Sequence, residues 1–216
     1  MKNFKFCLKF VVILAFVFSV SAHALSEGKE YIVLKNPIPN AQNSLIEVFS
    51  YRCIHCFTHH KFNTLAQVKK ALPNLRYEIF SVSSMSENGW ALNEMLALAS
   101  SREKALGKDS ASEDSLTHSL ADVYFVSHFE QKQDLSDVDF FYKLGLNAIS
   151  ASKQELYEFL QTQEAKEKLN AYALANEIAK NYGTPAFVVN GKYQINPEYI
   201  TSLEDLIKIT QELSKM

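Results

Sequence analysis

Two cysteines set three residues apart, between an apolar strand and a helix, limit what this chain can fold into more than anything else in it. Leu45-Ile46-Glu47-Val48-Phe49 reads as a strand, apolar but for Glu47. Residues 54–72 read as a helix: Phe57, Leu65, Val68, Ala71 and Leu72 recur near helical spacing, and Pro73 stops it. Cys53 therefore falls at a helix start, where unpartnered N–H groups and the macrodipole favour an anion. Cys56 lies one turn later on the same face, within reach of a disulfide. A bridge over so short a loop adds little stability, because loop-closure entropy grows with loop length. The pair reads instead as working chemistry, with Cys53 as the attacking thiolate and Cys56 as the resolving thiol.

The neighbouring residues carry second readings. His55 lies between the cysteines and is suited to stabilising a Cys53 thiolate. Glu47 sits six residues before Cys53. On pattern alone it is a solvent-facing strand position; its functional reading is a buried carboxylate of raised pKa that exchanges a proton with Cys56. His59 and His60 read as solvated helix residues. With the cysteines they would make a Cys2His2 zinc set, but all four ligands would crowd onto two turns of one helix. Haem attachment requires Cys-x-x-Cys-His, and residue 57 is Phe. Gly183-Thr184-Pro185 precedes a strand and reads as a turn whose proline is open to either isomer. Phe140, Phe141 and Tyr142 read as core.

The first 24 residues are expected to be a targeting segment. Lys2, Lys5 and Lys9 precede the apolar run Phe10–Phe18, and Ala22-His23-Ala24 gives a small-x-small cleavage pattern. The run is about half of the ~20 residues that span a bilayer, which favours cleavage after Ala24 over a retained anchor. Three lysines leave with the segment, so 22 basic residues fall to 19 against 24 acidic ones, a net charge of −5. A nucleic-acid binder would carry a basic face instead. Cys7 leaves too, and the remaining 192 residues keep only Cys53 and Cys56. Export puts that pair where disulfides form.

Along the chain, Tyr31–Leu34 and Leu75–Val82 read as further strands. A helical block follows. Trp90, Leu92, Met95, Leu96 and Leu98 mark one helix. Ser110-x-x-Glu113, Ser136-x-x-Asp139 and Ser152-x-x-Glu155 have capping-box form, and the last of these runs to Ile178 with a break near Thr162. Ala186–Val189 and Lys192–Ile195 flank Asn190-Gly191, a strong type I′ hairpin signal. Thr201-x-x-Glu204 caps a final helix. A βαβ half and a ββα half with helices between them predict an α/β thioredoxin-like domain over 25–86 and 181–216, with a helical insertion over 87–180.

These stretches resemble the DsbA family of periplasmic disulfide oxidases. The matching segments are Glu47-Val48-Phe49-Ser50-Tyr51-Arg52-Cys53-Ile54-His55-Cys56 and Thr184-Pro185-Ala186-Phe187-Val188-Val189-Asn190-Gly191-Lys192-Tyr193. The resemblance runs from Glu27 to the last helix. It implies a thioredoxin fold with an inserted helical domain and a cis Pro185 loop beside the disulfide. It also implies donation of the Cys53–Cys56 disulfide to reduced or unfolded exported proteins, with reoxidation by a quinone-linked membrane oxidase. No cofactor beyond the redox-active disulfide and no metal is expected. Ile54 stands where the family usually has proline and Thr184 where it usually has valine, and both positions tune the thiolate. Threonine there also occurs in related disulfide isomerases, which makes isomerase or reductase the first alternative and a non-redox periplasmic chaperone the second. Those isomerases dimerise through a separate N-terminal domain; six residues between Ala24 and Tyr31 leave no room for one, so a monomer is expected.

Overall fold

Every residue of the interior strand Ser44–Phe49 is buried, and the architecture follows from that. The computed structural model describes residues 25–216, so the expected targeting segment and its cleavage site lie outside the described residues. The strands are β1 (Tyr31–Val33), β2 (Ser44–Phe49), β3 (Arg76–Ser81), β4 (Ala186–Val189) and β5 (Tyr193–Ile195). They form one sheet in the order β1-β5-β4-β2-β3. β2 runs parallel to β3 and antiparallel to β4, so Glu47 lies between Ile79 and Phe187. Asn190 and Gly191 both take positive φ, 54° and 65°, and the Lys192 N–H closes the hairpin turn onto the Val189 carbonyl at 3.0 Å. Close approach makes glycine necessary there: a Cβ on Gly191 would stand 2.5 Å from the Ala41 Cβ.

The single expected helix over 54–72 is two helices, α1 (Ile54–Lys61) and α2 (Thr64–Ala71). Asn63 breaks it by taking the left-handed conformation (φ 51°, ψ 46°), which asparagine tolerates better than most residues. The Thr64 hydroxyl donates to the His59 carbonyl at 3.0 Å and caps the frayed end. The apolar spacing runs on across the break, which is why periodicity missed it.

The helical block is α3 (Gly89–Ala105), α4 (Leu116–Phe125), α5 (Val138–Ala148), α6 (Lys153–Leu160), α7 (Gln163–Ala173) and α8 (Ala175–Tyr182); α9 (Leu203–Ser214) closes the chain. α3 is its axis, packing against α4, α5, α6, α7 and β3. Three expected caps sit elsewhere. Ser115, not Ser110, caps α4 by accepting from the His118 N–H at 2.9 Å. Ser110 is instead buried and accepts from the Thr117 hydroxyl. Asp137 rather than Ser136 caps α5, and Ser202 rather than Thr201 caps α9, while Thr201 donates through its N–H and hydroxyl to Asp205. Ser152 caps α6 as expected, and Thr162 opens α7 at the expected break.

Besides the packing of α3 on β3, two further features tie the helical block to the rest. Phe57 on α1 stacks between Phe125 and Phe129, ring centres 5.5 and 5.2 Å away, where α4 continues as a π-helical turn over Val126–Glu130. On the far side, the loop after α3 covers the outer edge of β3. The Ser110 N–H donates to the Tyr77 carbonyl, and the Tyr77 N–H donates to Asp109, which Lys69 holds at 2.6 Å.

Gly145 on α5 sits where helices close tightly. A Cβ there would meet the Tyr124 hydroxyl at 2.3 Å, the Met95 sulfur at 2.7 Å and a Leu120 methyl at 2.9 Å. Gly145→Ala is expected to destabilise the fold by about 1–3 kcal/mol through overpacking, read as a lower urea midpoint with an unchanged slope.

Candidate active site

Cys53 is the N-cap of α1. Its backbone is extended (φ −92°, ψ 114°), and its Sγ accepts the Cys56 N–H at 3.2 Å, the place a capping oxygen normally takes. The preceding Ser50-Tyr51-Arg52 segment turns the chain off β2, with the Cys53 N–H on the Ser50 carbonyl at 3.0 Å. Tyr51 anchors that turn against the rings of Tyr124 and Phe141. The Thr184 carbonyl lies 3.2 Å from the Cys53 Sγ, and the Thr184–Pro185 bond is cis. The two expected halves of the site, 131 residues apart in the chain, therefore meet at one sulfur.

The two cysteines are unlike. Cys53 is half-buried and Cys56 wholly buried. A hydrogen bond from the Cys56 thiol does most to bring Cys53 down, to about 6; the Thr184 hydroxyl and the backbone N–H groups of Cys56 and His55 assist, against the opposing effect of burial. Cys56 is pushed far up, first by burial and then by serving as that donor. His55 thus acts on Cys53 through its main-chain N–H, while its side chain lies in an exposed residue. Ile54, 53% exposed, presents an apolar surface beside the reactive sulfur.

Glu47 is only 8% exposed, which overturns the solvent-facing reading of its strand position. Polar–apolar alternation marks a solvent face only in a sheet with one open side, and β2 is covered on both. Burial, and then the Cys53 charge, push the Glu47 carboxyl up to about 8. His60 is not solvated either. Its side chain is 7% exposed, its Nε2 lies 2.9 Å from Asp122 Oδ1, and its ring stacks on His118 at 4.0 Å. His59 keeps part of its surface exposed, but its Nδ1 is buried without a hydrogen-bond partner. Glu47, Cys56, His59, His60 and His118 share the wall of one cavity of about 20 Å³. His118 and Asp122 had no signal in the sequence, since only the docking of α4 onto α1 brings them here. Among the described residues no cluster of three or more His, Cys, Asp or Glu is arranged to hold a metal. Phe141 is core as expected, whereas Phe140 is 39% exposed.

No family model matches the chain. A thiol:disulfide interchange protein DsbL of Lelliottia amnigena is 31% identical over 207 residues, covering 94% of this chain and 93% of that protein. The chain belongs to the DsbA family. A DsbA of Salmonella typhimurium is likewise 31% identical, over 84% of this chain and 81% of its own length. The crystal structure of Salmonella Typhimurium DsbL superposes with a TM-score of 0.81 at 30% identity, covering 90% of this chain and all of that one. Klebsiella pneumoniae DsbA, at 22% identity and a TM-score of 0.63, shares the fold. This DsbA-family chain is a thioredoxin-fold thiol:disulfide oxidoreductase.

Two outcomes follow for the site. Thiolate absorbance of the reduced protein is expected to titrate near 6, with Thr184→Val moving the midpoint up toward the ~8.5 of a free thiol. His55→Ala should leave it nearly in place, because a main-chain N–H survives the substitution. Glu47 sets a second pH dependence. Its folded pKa lies above its unfolded one, so the folded state holds more protons between about 4.5 and 8 and stability falls as pH rises through that window. Glu47→Gln should therefore gain stability over the parent by about 2–4 kcal/mol at pH 8, with the difference fading near pH 4, as read by urea unfolding at each pH.

Proposed function

We propose that this protein donates the Cys53–Cys56 disulfide to reduced proteins exported to the periplasm, working there as a monomer after cleavage near Ala24. The observation that carries this reading is the asymmetry of the pair: a half-buried Cys53 whose thiolate is held at about 6, and a sealed Cys56 whose thiol stays protonated. A client thiolate attacks the Cys53 sulfur. The Cys53–Cys56 bond breaks, and its electron pair leaves on Cys56, which takes up a proton. A second client thiolate then attacks the client sulfur of the mixed disulfide, and Cys53 departs as a thiolate. The client loses two electrons and the protein gains them. Stabilising the departing Cys53 thiolate favours the reduced protein, so the disulfide is a ready electron acceptor.

The roles of the remaining site residues belong to the same reading. Pro185 and Thr184 hold the loop across from Cys53, Ile54 meets the client, and Glu47 serves Cys56. The thioredoxin-like unit comprises 25–86 and 181–216, with 87–180 as the helical insertion. Reoxidation falls to a quinone-linked membrane oxidase, the partner that the resemblance to the DsbA family implies; no helix among the described residues is itself long and apolar enough to cross a membrane. One feature favours a second reading, isomerase or reductase: the Thr184 side chain acts on both cysteines in the direction that favours the thiolate, though burial still leaves Cys56 raised.

Two assays divide these readings. Oxidised protein should rapidly oxidise a reduced two-cysteine peptide, while reduced protein should barely unscramble a multi-disulfide protein. Efficient unscrambling would favour the isomerase. In Cys56→Ser, client adducts are expected to accumulate on Cys53; adducts forming instead on Cys56 in Cys53→Ser would reverse the assignment.

A further inference from the structure

Reduction of the disulfide needs a proton whose source lies inside the fold. When the disulfide opens, Cys56 takes up a proton inside the fold, at a sulfur with no solvent exposure. Glu47 lines the same cavity and holds a proton at neutral pH. Giving that proton to Cys56 leaves a carboxylate buried between Ile79 and Phe187. Neither neighbour can compensate it, and the cavity wall contains no lysine or arginine. The carboxylate must be reprotonated from outside before the next cycle.

Three histidines share the wall with Glu47. His60 is committed, with Nε2 on Asp122 and its ring against His118. His118 is held in that stack and driven down to about 4 by burial and then by His60. His59 differs. Its Nδ1 is sealed from solvent and bonded to nothing, while the residue itself keeps part of its surface exposed. A buried imidazole nitrogen without a partner is costly unless something polar joins it. The cavity, about 20 Å³, holds roughly one water, and a water there has Glu47, Cys56 and His59 on its wall.

We propose that His59 carries the proton between solvent and the Glu47–Cys56 pair through a single water in this cavity. It is a positioning residue, acting on the reacting sulfur only through Glu47. The inference rests on the disulfide-donor reading. A neutral imidazole suits the task because it can accept a proton on one nitrogen while releasing one from the other, with no net charge left behind. His59 is kept neutral by burial and then by the nearby His55. The titratable groups around it are His55, Cys56 and His60 on its own helix, Glu47 on β2 and His118 on α4, with Asp122 behind His60. Phe187 of β4 packs against its ring at 5.6 Å.

Reduction of the oxidised protein by a two-cysteine peptide, followed by the fluorescence of the single tryptophan, Trp90, between pH 5 and 9, tests this. His59→Asn keeps a hydrogen-bonding group near the Nδ1 position but cannot relay a proton. It is expected to slow reduction about tenfold near pH 7 and to change the solvent isotope effect, while the Cys53 thiolate midpoint stays put. Added to Glu47→Gln it should cost nothing further, since both act on one proton. If His59→Asn reproduces the parent pH profile while Glu47→Gln slows reduction, the relay falls and the donor reading stands. If the loss comes with a matching shift in the Cys53 midpoint, the effect is structural and the relay again falls. If neither variant changes the rate, both Glu47 and His59 lose their roles, while trapping in Cys56→Ser still judges the donor reading separately. Should His59→Asn not fold, His59→Gln is read by the same criteria.

Discussion

The hydrogen bond from the Cys56 N–H to the Cys53 sulfur organises this molecule's chemistry. It is a helix cap made by sulfur in place of oxygen. A capping atom is most useful when it carries negative charge, so the secondary structure and the thiolate stabilise each other. The rest of the site serves that arrangement. Tyr51 and its aromatic neighbours fix where the strand ends, Thr184 presents both a carbonyl and a hydroxyl, and the burial of Cys56 ensures that only one of the two sulfurs ionises readily.

Beneath the helix, β2 delivers the opposite kind of environment. It is an interior strand, parallel to one neighbour and antiparallel to the other, and closed on both faces. A carboxylate placed there cannot be solvated, so Glu47 keeps its proton where a surface carboxyl would lose it. One fold thereby holds a thiol that gives up its proton easily and, behind it, a carboxyl and a second thiol that keep theirs. Such separation of acidities is what proton-coupled sulfur chemistry needs.

Much of this was legible in the residues alone. The cysteine spacing, the strand before it and the Asn190-Gly191 turn placed the frame and the reactive pair, because each is a local signal with a local cause; the Pro185 loop came to the site only through the family resemblance, since the residues around it leave the proline open to either isomer. What was not legible depended on distance. Glu47 looked exposed because alternation cannot reveal whether both faces of a strand are covered. His60 looked solvated because Asp122 and His118 arrive on a helix some sixty residues later. The break at Asn63 was hidden because the apolar spacing runs on across it, and the caps of α4, α5 and α9 fell on Ser115, Asp137 and Ser202 rather than on their near neighbours because several candidate capping residues lie within a few positions and tertiary packing chooses among them.

The loop that seals β3 has a meaning for a protein that handles unfolded chains. An unpaired strand edge is a template on which any extended polypeptide can build a further strand. At Tyr77 both outward main-chain groups are already engaged by Ser110 and Asp109, and Lys69 holds the loop in position. An extended client arriving at Tyr77 finds that rung of the ladder already occupied. Contact with unfolded polypeptide is thereby steered away from this rim, and an oxidase that must release each client after one exchange gains a surface that does not hold on to it.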